Sequence, residues 1–242
     1  MKDSAKTIDV PVLAYHHIEV NKHQRQTCRG LVVDAISFER QMAILRTFGY
    51  RTVSLIDLAK SLAGDLALPS RPVVITFDDG YAGAYKFGFP ILRRYDFAAT
   101  LFLIAEDFVA NSRRQNQRAF PIMTRTQVAE MIGAGFHIGS HSVSHPRLTE
   151  LSDSDVRTEI TNSRKILESA FRCEVKAFCY PYGIYDSGLE TRVQEAGYAC
   201  ACSTRFGRRH SAEDRFGLRR IPVGADQGIA QFMYRLLWAR DE

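Results

Sequence analysis

Short apolar segments alternate with amphipathic segments along the chain. The apolar segments are VPVLAY at 10–15, RPVVITF at 71–77, AATLFLIA at 98–105, VKAFCY at 175–180, YACACS at 198–203 and LRRIPV at 218–223. Such short runs, bounded by turn residues, predict strands that are buried in a parallel sheet. The amphipathic segments between them predict helices, so the pattern favours an α/β fold of repeated βα units.

Capping residues indicate where several helices begin. Ser37 precedes apolar residues at helical spacing, and Thr124 and Ser152 are each followed three positions later by a side chain that can complete a capping box. Further helices are predicted at 82–94 and 186–196, with a last helix opening near Asp226 and a polar surface loop at 106–123. About seven or eight βα units result, which predicts one closed or nearly closed sheet.

Composition fits a globular protein. The chain has 242 residues, of which 45% are hydrophobic and 24% are charged. This length supports a core of useful size, and we interpret residues 1–242 as a single domain. Trp238, the only tryptophan, lies in the last predicted helix and is expected to pack against the core.

The net charge of +5 bears on the partners that the protein can bind. An excess of arginine suits a nucleic acid, an anionic glycan or a lipid headgroup. Because no basic helix carries interleaved aromatic residues, we expect no nucleic-acid partner. Contact with a membrane surface or an anionic substrate through basic loops is retained as an expectation. The basic clusters are at 113–114, 118, 205, 208–209 and 219–220.

The cysteines and the N-terminus bear weakly on the compartment. Five cysteines, with no C-x-x-C, argue against a zinc finger or a disulfide framework and are typical of small core residues. Unpaired cysteines slightly favour a reducing compartment such as the cytoplasm. Residues 1–15 contain no apolar run of the length of a signal peptide, so we expect the chain as given to be soluble. The oligomeric state is left open.

Polar residues follow four of the predicted strands. His16 and His17 end the first strand, Asp78 and Asp79 follow 71–77, and the HSVSHP and PYG segments follow two later strands. The carboxyl ends of parallel strands meet at one edge of such a fold, where sites are built. We therefore expect these side chains to lie together.

The spacing of His141 and His145 is typical of metal ligands. Two imidazoles four residues apart face the same side of a helical turn, although Pro146 limits this one to a single tight turn. With one carboxylate they would form a three-ligand site for a divalent cation. The second carboxylate of the D-D pair would stay free as a general base toward water. The alternatives are a solvated D-D-G turn and two unrelated histidines.

The motifs TFDDG, HSVSHP and YPYG, in this order, resemble those of the polysaccharide deacetylases of carbohydrate esterase family four, with similarity over residues 10–223. The resemblance implies a deformed (β/α) barrel of about seven parallel strands, formed by a single catalytic domain. It implies hydrolysis of an N-acetyl group on an amino sugar with a divalent metal, Zn²⁺ or else Co²⁺, Ni²⁺ or Mn²⁺. It also implies site residues: Asp78 as the general base, Asp79, His141 and His145 as metal ligands, and the Tyr182 backbone N–H as an oxyanion donor.

Other features depart from the commonest pattern of that family. Cys179 stands where an arginine usually orients the base, CACSTRFG replaces the acidic-Trp motif, and the late Leu-x-His motif of the general acid is missing. The only histidine after His145 is His210. LAYHHIE and LRRIPV resemble segments of the exopolysaccharide (poly-N-acetylglucosamine) deacetylase branch, which implies His16 as the general acid; the alternative is a structural histidine.

Three residues are candidate substrate contacts. Tyr81, Pro181 and Tyr182 adjoin the motifs, and an aromatic ring can stack on a pyranose, although Tyr81 at helical spacing suits a core or rim position equally. The predicted partner is an N-acetylated glycan or glycoside. Two other functions stay open: a hydrolase of the same fold that opens a cyclic amide, and a glycan-binding relative with impaired catalysis.

Overall fold

The computed structural model describes residues 7–20, 30–109, 120–224 and 227–239. Within them the chain forms twelve strands and seven α-helices. The strands are β1 (Ile8–Asp9), β2 (Val12–Tyr15), β3 (His17–Glu19), β4 (Val32–Asp34), β5 (Arg51–Thr52), β6 (Pro72–Phe77), β7 (Thr100–Leu103), β8 (His137–Ser140), β9 (Ala177–Cys179), β10 (Cys200–Phe206), β11 (Arg209–His210) and β12 (Leu218–Pro222). The helices are α1 (Ala35–Thr47), α2 (Leu55–Ala63), α3 (Phe89–Arg94), α4 (Arg125–Gly133), α5 (Asp153–Phe171), α6 (Ser187–Glu195) and α7 (Ile229–Trp238).

Seven of the strands close into a parallel barrel. Their order is β2-β12-β10-β9-β8-β7-β6, and β6 pairs again with β2 to complete the circle. The closing pair is in register, with Leu13 opposite Ile75 and Tyr15 opposite Phe77. The predicted (β/α) barrel of about seven parallel strands is therefore confirmed. Because every barrel strand runs in the same direction, all their carboxyl ends meet at one end, which we call the site rim.

Alternation along the strands divides the core into two clusters. Side chains at alternate strand positions point to opposite faces of a sheet. On β2, Val12 belongs to a cluster with Val74 and Phe102, whereas Leu13 belongs to a larger cluster with the helices. The smaller cluster draws on most of the barrel strands and fills the barrel interior. It also contains Cys179, Cys200 and Cys202, which are fully buried, as the sequence predicts for most of the cysteines.

Several local predictions needed correction. Helix α1 begins at Ala35 because Asp34, not Ser37, caps it, with the Asp34 carboxylate accepting hydrogen bonds from two backbone N–H groups. The predicted helix at 82–94 opens as a π-helical turn over Ala84–Gly88. Trp238 is 61% exposed, so the prediction that it packs against the core is wrong. Among the described helices, none is both long and apolar enough to cross a membrane.

Most of the basic positions are engaged in contacts or lie outside the described residues. Arg113, Arg114 and Arg118 belong to the second group, and the predictions for Cys28 and Asp226 likewise fall outside the described residues. Arg205 donates a hydrogen bond to the hydroxyl of Tyr185, and Arg219 donates one to Asp214. Arg220 is 2% exposed, so the 219–220 cluster is not an exposed basic patch. Contact with a membrane or an anionic substrate stays a prediction.

Candidate active site

The site rim gathers the polar residues that the sequence places after strands. Asp78 and Asp79 follow β6, His141 follows β8 and Pro181 follows β9. His16 follows β2, the strand that pairs with β6. Parallel closure of the barrel thus brings four separate segments of the chain to one mouth, as expected.

A tight turn separates the two carboxylates. Asp79 has φ of 68° and Gly80 has φ of 71°, so two consecutive residues adopt the left-handed conformation. Glycine adopts this conformation freely and aspartate tolerates it better than most residues. The turn reverses the chain directly after β6 and allows the two side chains to point to different partners. Adjacent carboxylates are thereby given two distinct environments.

Asp79 lies with the two histidines of the HSVSHP segment. The Oδ1 atom of Asp79 is 3.7 Å from Nε2 of His141 and 3.6 Å from Nε2 of His145. The two Nε2 atoms are 3.2 Å apart. Donors of a four-coordinate zinc site, each about 2.0–2.1 Å from the ion, lie roughly 3.4 Å from one another. The three separations bracket this value, so the donor set fits a divalent cation.

The surroundings of His141 favour the form of imidazole that can bind a metal. Its Nδ1 atom is 2.7 Å from the backbone carbonyl oxygen of Cys179, so the N–H is placed on Nδ1 and Nε2 carries the free lone pair toward Asp79. Burial lowers the pKa of His141 and outweighs the opposite effect of Asp78 and Asp79. The neutral ring is therefore favoured at neutral pH.

Asp78 is held by a buried arginine. Its two carboxylate oxygens each accept a 2.8 Å hydrogen bond from the guanidinium of Arg220, and both side chains are 3% exposed. Arg220 also donates to the carbonyl oxygen of Ser203. Burial alone would raise the pKa of Asp78, but the charge of Arg220 and its hydrogen bonds hold it well below the usual range. Asp78 is consequently ionised at neutral pH.

The sequence profile of the polysaccharide deacetylase family matches residues 65–201, more than half of the chain. The chain belongs to the polysaccharide deacetylase family. As a member of this family it is a hydrolase of the deacetylase type.

Relatives extend the match beyond the family profile. YxkH of Bacillus subtilis, named for polysaccharide deacetylases, is 27% identical over 227 residues, which cover 94% of this chain and 76% of YxkH. The poly-beta-1,6-N-acetyl-D-glucosamine N-deacetylase of Staphylococcus aureus is 25% identical over 138 residues, which cover 53% of this chain and 46% of that protein. The first match shows that similarity to a deacetylase runs through almost the whole chain.

Solved structures of two further proteins share the fold. The Streptococcus pyogenes deacetylase PplD, solved with acetate, superposes with a TM-score of 0.84 at 24% identity and covers 96% of this chain and 99% of its own. IcaB from Ammonifex degensii superposes with a TM-score of 0.78 at 21% identity and covers 95% of this chain and 96% of its own. At these identities the likeness establishes the barrel fold.

Arg220 is the site residue that sequence reasoning missed. The commonest family pattern has an arginine at the position of Cys179, and its loss suggests that the base lacks support. In this deacetylase the Nη2 atom of Arg220 lies 3.2 Å from Sγ of Cys179, so the guanidinium reaches the same place from β12. The signal was an arginine pair inside the apolar LRRIPV segment, where an unpaired buried charge would be costly.

The three remaining histidines of interest lie in different places. Nε2 of His16 is 3.8 Å from Oδ2 of Asp78, with the side chain 25% exposed, so His16 belongs to the site. His17 points away and stacks on Phe120, with ring centroids 4.1 Å apart. His210 is fully buried, with Nε2 2.9 Å from the carbonyl oxygen of Val10, which precedes β2 at the opposite end of the barrel from the site rim.

The candidate substrate contacts differ in accessibility. The ring of Tyr182 is exposed and packs 4.7 Å from the ring of His145, while its backbone has φ of 60°. Pro181 is buried. Tyr81 is 5% exposed, because its ring is enclosed by those of His17 and Phe120. The burial of Tyr81 favours the core alternative for this residue, whereas Tyr182 is accessible to a substrate.

Proposed function

We propose that this deacetylase hydrolyses the N-acetyl groups of an N-acetylated glycan and needs a divalent metal, with Zn²⁺ as the first candidate. The observation that carries the proposal is that the two adjacent carboxylates face different partners. Asp79 faces two histidine nitrogens within 3.7 Å, while Asp78 faces Arg220. The turn after β6 thus supplies one ligand, Asp79, and a separate, ionised base, Asp78, while the other two ligands come from the segment after β8.

The proposed ligands are Asp79, His141 and His145. Two imidazoles and one carboxylate suit zinc and other divalent ions, and three protein ligands leave a coordination position open. When bound, the metal acts as a Lewis acid that polarises the amide carbonyl and lowers the pKa of water. The chain's own task is to hold these donors at the measured separations.

The proposed base is Asp78. It takes a proton from the water that attacks the acetamide carbonyl, and Arg220 fixes the direction in which the carboxylate faces. The negative charge that develops on the carbonyl oxygen is stabilised by the backbone N–H of Tyr182, which follows the end of β9 at the site rim. His16 then delivers a proton to the leaving nitrogen, so the products are acetate and the free amino sugar.

The proposed substrate class follows from the relatives and the open rim. The S. aureus relative is named for poly-beta-1,6-N-acetyl-D-glucosamine. Tyr182 is exposed, with its ring beside His145 and the guanidinium of Arg147 4.7 Å from the ring centroid, so a pyranose can contact the part of the ring left accessible. Oligomers of β-1,6-linked N-acetylglucosamine are accordingly the first substrates to test.

Acetate release tests the proposal directly. The protein is stripped with a chelator, and acetate is measured on β-1,6-linked oligomers and on lipid- and nucleotide-linked N-acetyl sugars, before and after Zn²⁺ or Co²⁺ is returned. We expect release only with metal. Because opening a cyclic amide adds one water and releases no acetate, the alternative hydrolase is tested separately, by mass spectrometry of a cyclic amide incubated with the metal-loaded protein. Metal-independent release, or no release from any N-acetyl sugar, would contradict the proposal.

A further inference from the structure

A carboxylate outside the catalytic motifs holds the turn between the two histidines. Glu159 lies in α5, and its Oε2 atom accepts hydrogen bonds of 2.9 Å from the backbone N–H groups of both Val143 and Ser144. Its Oε1 atom accepts a 2.7 Å hydrogen bond from the hydroxyl of Ser144. One side chain therefore satisfies three donors of a segment that precedes it by about fifteen residues in sequence.

The turn itself is conformationally demanding. Ser142 has φ of 65° and His145 has φ of 61°, and both are left-handed without being glycine. Such residues persist only where the surrounding contacts fix them. Within the turn, the hydroxyl of Ser142 accepts a 2.9 Å hydrogen bond from the N–H of His145. A local bond of this kind does not attach the turn to the barrel.

Two sets of bonds attach the turn to the rest of the protein. On one side, the carbonyl oxygens of Ser142 and Val143 accept hydrogen bonds from the N–H groups of Ala105 and Glu106, which follow β7. On the other side, the N–H groups of Val143 and Ser144 point to Glu159. The first set holds two backbone carbonyl groups of the turn, and Glu159 holds two of its backbone N–H groups.

We propose that Glu159 is a positioning residue that sets the metal affinity of the site by fixing His145. The inference rests on the proposed function, since it assumes that His145 binds a metal. His141 is fixed independently, because it follows β8 directly and its Nδ1 atom contacts the carbonyl of Cys179. Loss of Glu159 frees His145 and leaves His141 in place, so the site keeps two ligands and loses the third.

The same helix provides a matched control. Glu168 also lies in α5, and its Oε1 atom accepts hydrogen bonds from the N–H of Val175, at 3.1 Å, and from Arg164, at 3.0 Å. Glu168→Gln therefore removes a carboxylate that binds backbone and leaves the histidine turn intact. A role of Glu159 that is merely structural would make Glu159→Gln and Glu168→Gln alike in every measurement.

The test compares metal binding by the full chain. Wild type, Glu159→Gln and Glu168→Gln are stripped of metal, checked for folding by circular dichroism, and titrated with Zn²⁺ against a chromophoric chelator. The visible spectrum of the Co²⁺ form reports ligand geometry. Glu159→Gln keeps one acceptor oxygen but loses the negative charge and the second oxygen that hold the turn, so we expect a Kd increase of about tenfold and an altered Co²⁺ spectrum. Glu168→Gln should match wild type in both.

The outcomes separate this inference from the proposed function. If wild type binds Zn²⁺ and Glu159→Gln binds it equally well with the same Co²⁺ spectrum, Glu159 is not a positioning residue. If wild type binds no metal, the ligand assignment fails and this inference fails with it. Should Glu159→Gln not fold, Ser144→Ala removes only the hydroxyl bond, and we expect a smaller increase in Kd in the same direction. An unchanged Kd in that variant would then overturn the inference.

Discussion

The carboxylate of Asp78 and the guanidinium of Arg220 form a bidentate ion pair across the barrel, with two hydrogen bonds of 2.8 Å between residues 142 positions apart. Both side chains are buried, so each charge depends on the other. Burial would lower the pKa of Arg220, but the negative charge of Asp78 keeps it raised. The pair joins the candidate base to β12, a strand that carries none of the three family motifs.

Removal of Arg220 should be costly because it leaves a buried carboxylate unpaired. For Arg220→Met we expect a loss of about 3–5 kcal/mol in the free energy of unfolding, measured with urea on the metal-free protein. Arg219→Met is the control, because its partner Asp214 lies in the partly exposed segment before β12. Equal losses in the two variants would show that the ion pair between Arg220 and Asp78 stabilises the fold no more than the pair between Arg219 and Asp214.

The pH dependence of stability should reverse in the same variant. In wild type the pKa of Asp78 lies below its unfolded value of about 3.9, so this carboxyl stabilises the fold above that pH and the contribution is lost as the pH falls. In Arg220→Met, burial raises that pKa above the unfolded value, so stability falls as the pH rises. The difference in the free energy of unfolding between wild type and Arg220→Met should therefore increase between about pH 4 and pH 7. The Asp78→Asn/Arg220→Met double variant should not show this increase.

The adjacent carboxylates should separate metal binding from turnover. Asp78→Asn should abolish acetate release yet keep the metal, because Arg220 binds both oxygens of Asp78, although Asp78 also lies near donor atoms of His141 and Cys179. Asp79→Asn should weaken metal binding as well as turnover. Metal content after gel filtration, measured by atomic emission, distinguishes the two. Loss of metal from Asp78→Asn with retention in Asp79→Asn would reverse the assigned roles.

Cys179 and Arg220 should show strong coupling in a double-mutant cycle. Cys179→Arg alone brings a second guanidinium to a carboxylate that already binds one, in a fully buried position. We expect it to be destabilising by several kcal/mol, roughly as for other unpaired buried charges. The Cys179→Arg/Arg220→Cys exchange should be more stable than Cys179→Arg alone. Additive losses, obtained from the four urea curves, would mean that the two positions do not share one site for the guanidinium.

His16 should be needed for turnover if it donates the proton to the leaving nitrogen. We expect His16→Gln to lower kcat by about 10²–10⁴-fold. His17→Gln is the control, because His17 stacks on Phe120 away from Asp78. An unchanged kcat in His16→Gln would show that His16 is not the acid.

Local patterns in the sequence determined much of this protein. The apolar runs fixed which segments are strands, and the turn-forming residues fixed that Asp78, Asp79 and the HSVSHP segment follow strands. These properties depend on neighbours a few positions away, so they can be predicted without knowledge of the fold. A closed or nearly closed α/β sheet, and a candidate metal site of His141, His145 and one of the two carboxylates, could accordingly be predicted, whereas the choice of Asp79 came from the family resemblance.

Only the tertiary structure decided which residues support that site. Arg220 reaches Asp78, and Glu159 reaches the histidine turn, because the barrel closes in a particular register and α5 packs beneath its rim. His16 faces Asp78 while Tyr81 turns into a buried cluster for the same reason. Contacts between residues far apart in sequence depend on strand order and register, which the free energy of the whole packed core selects and no short segment encodes.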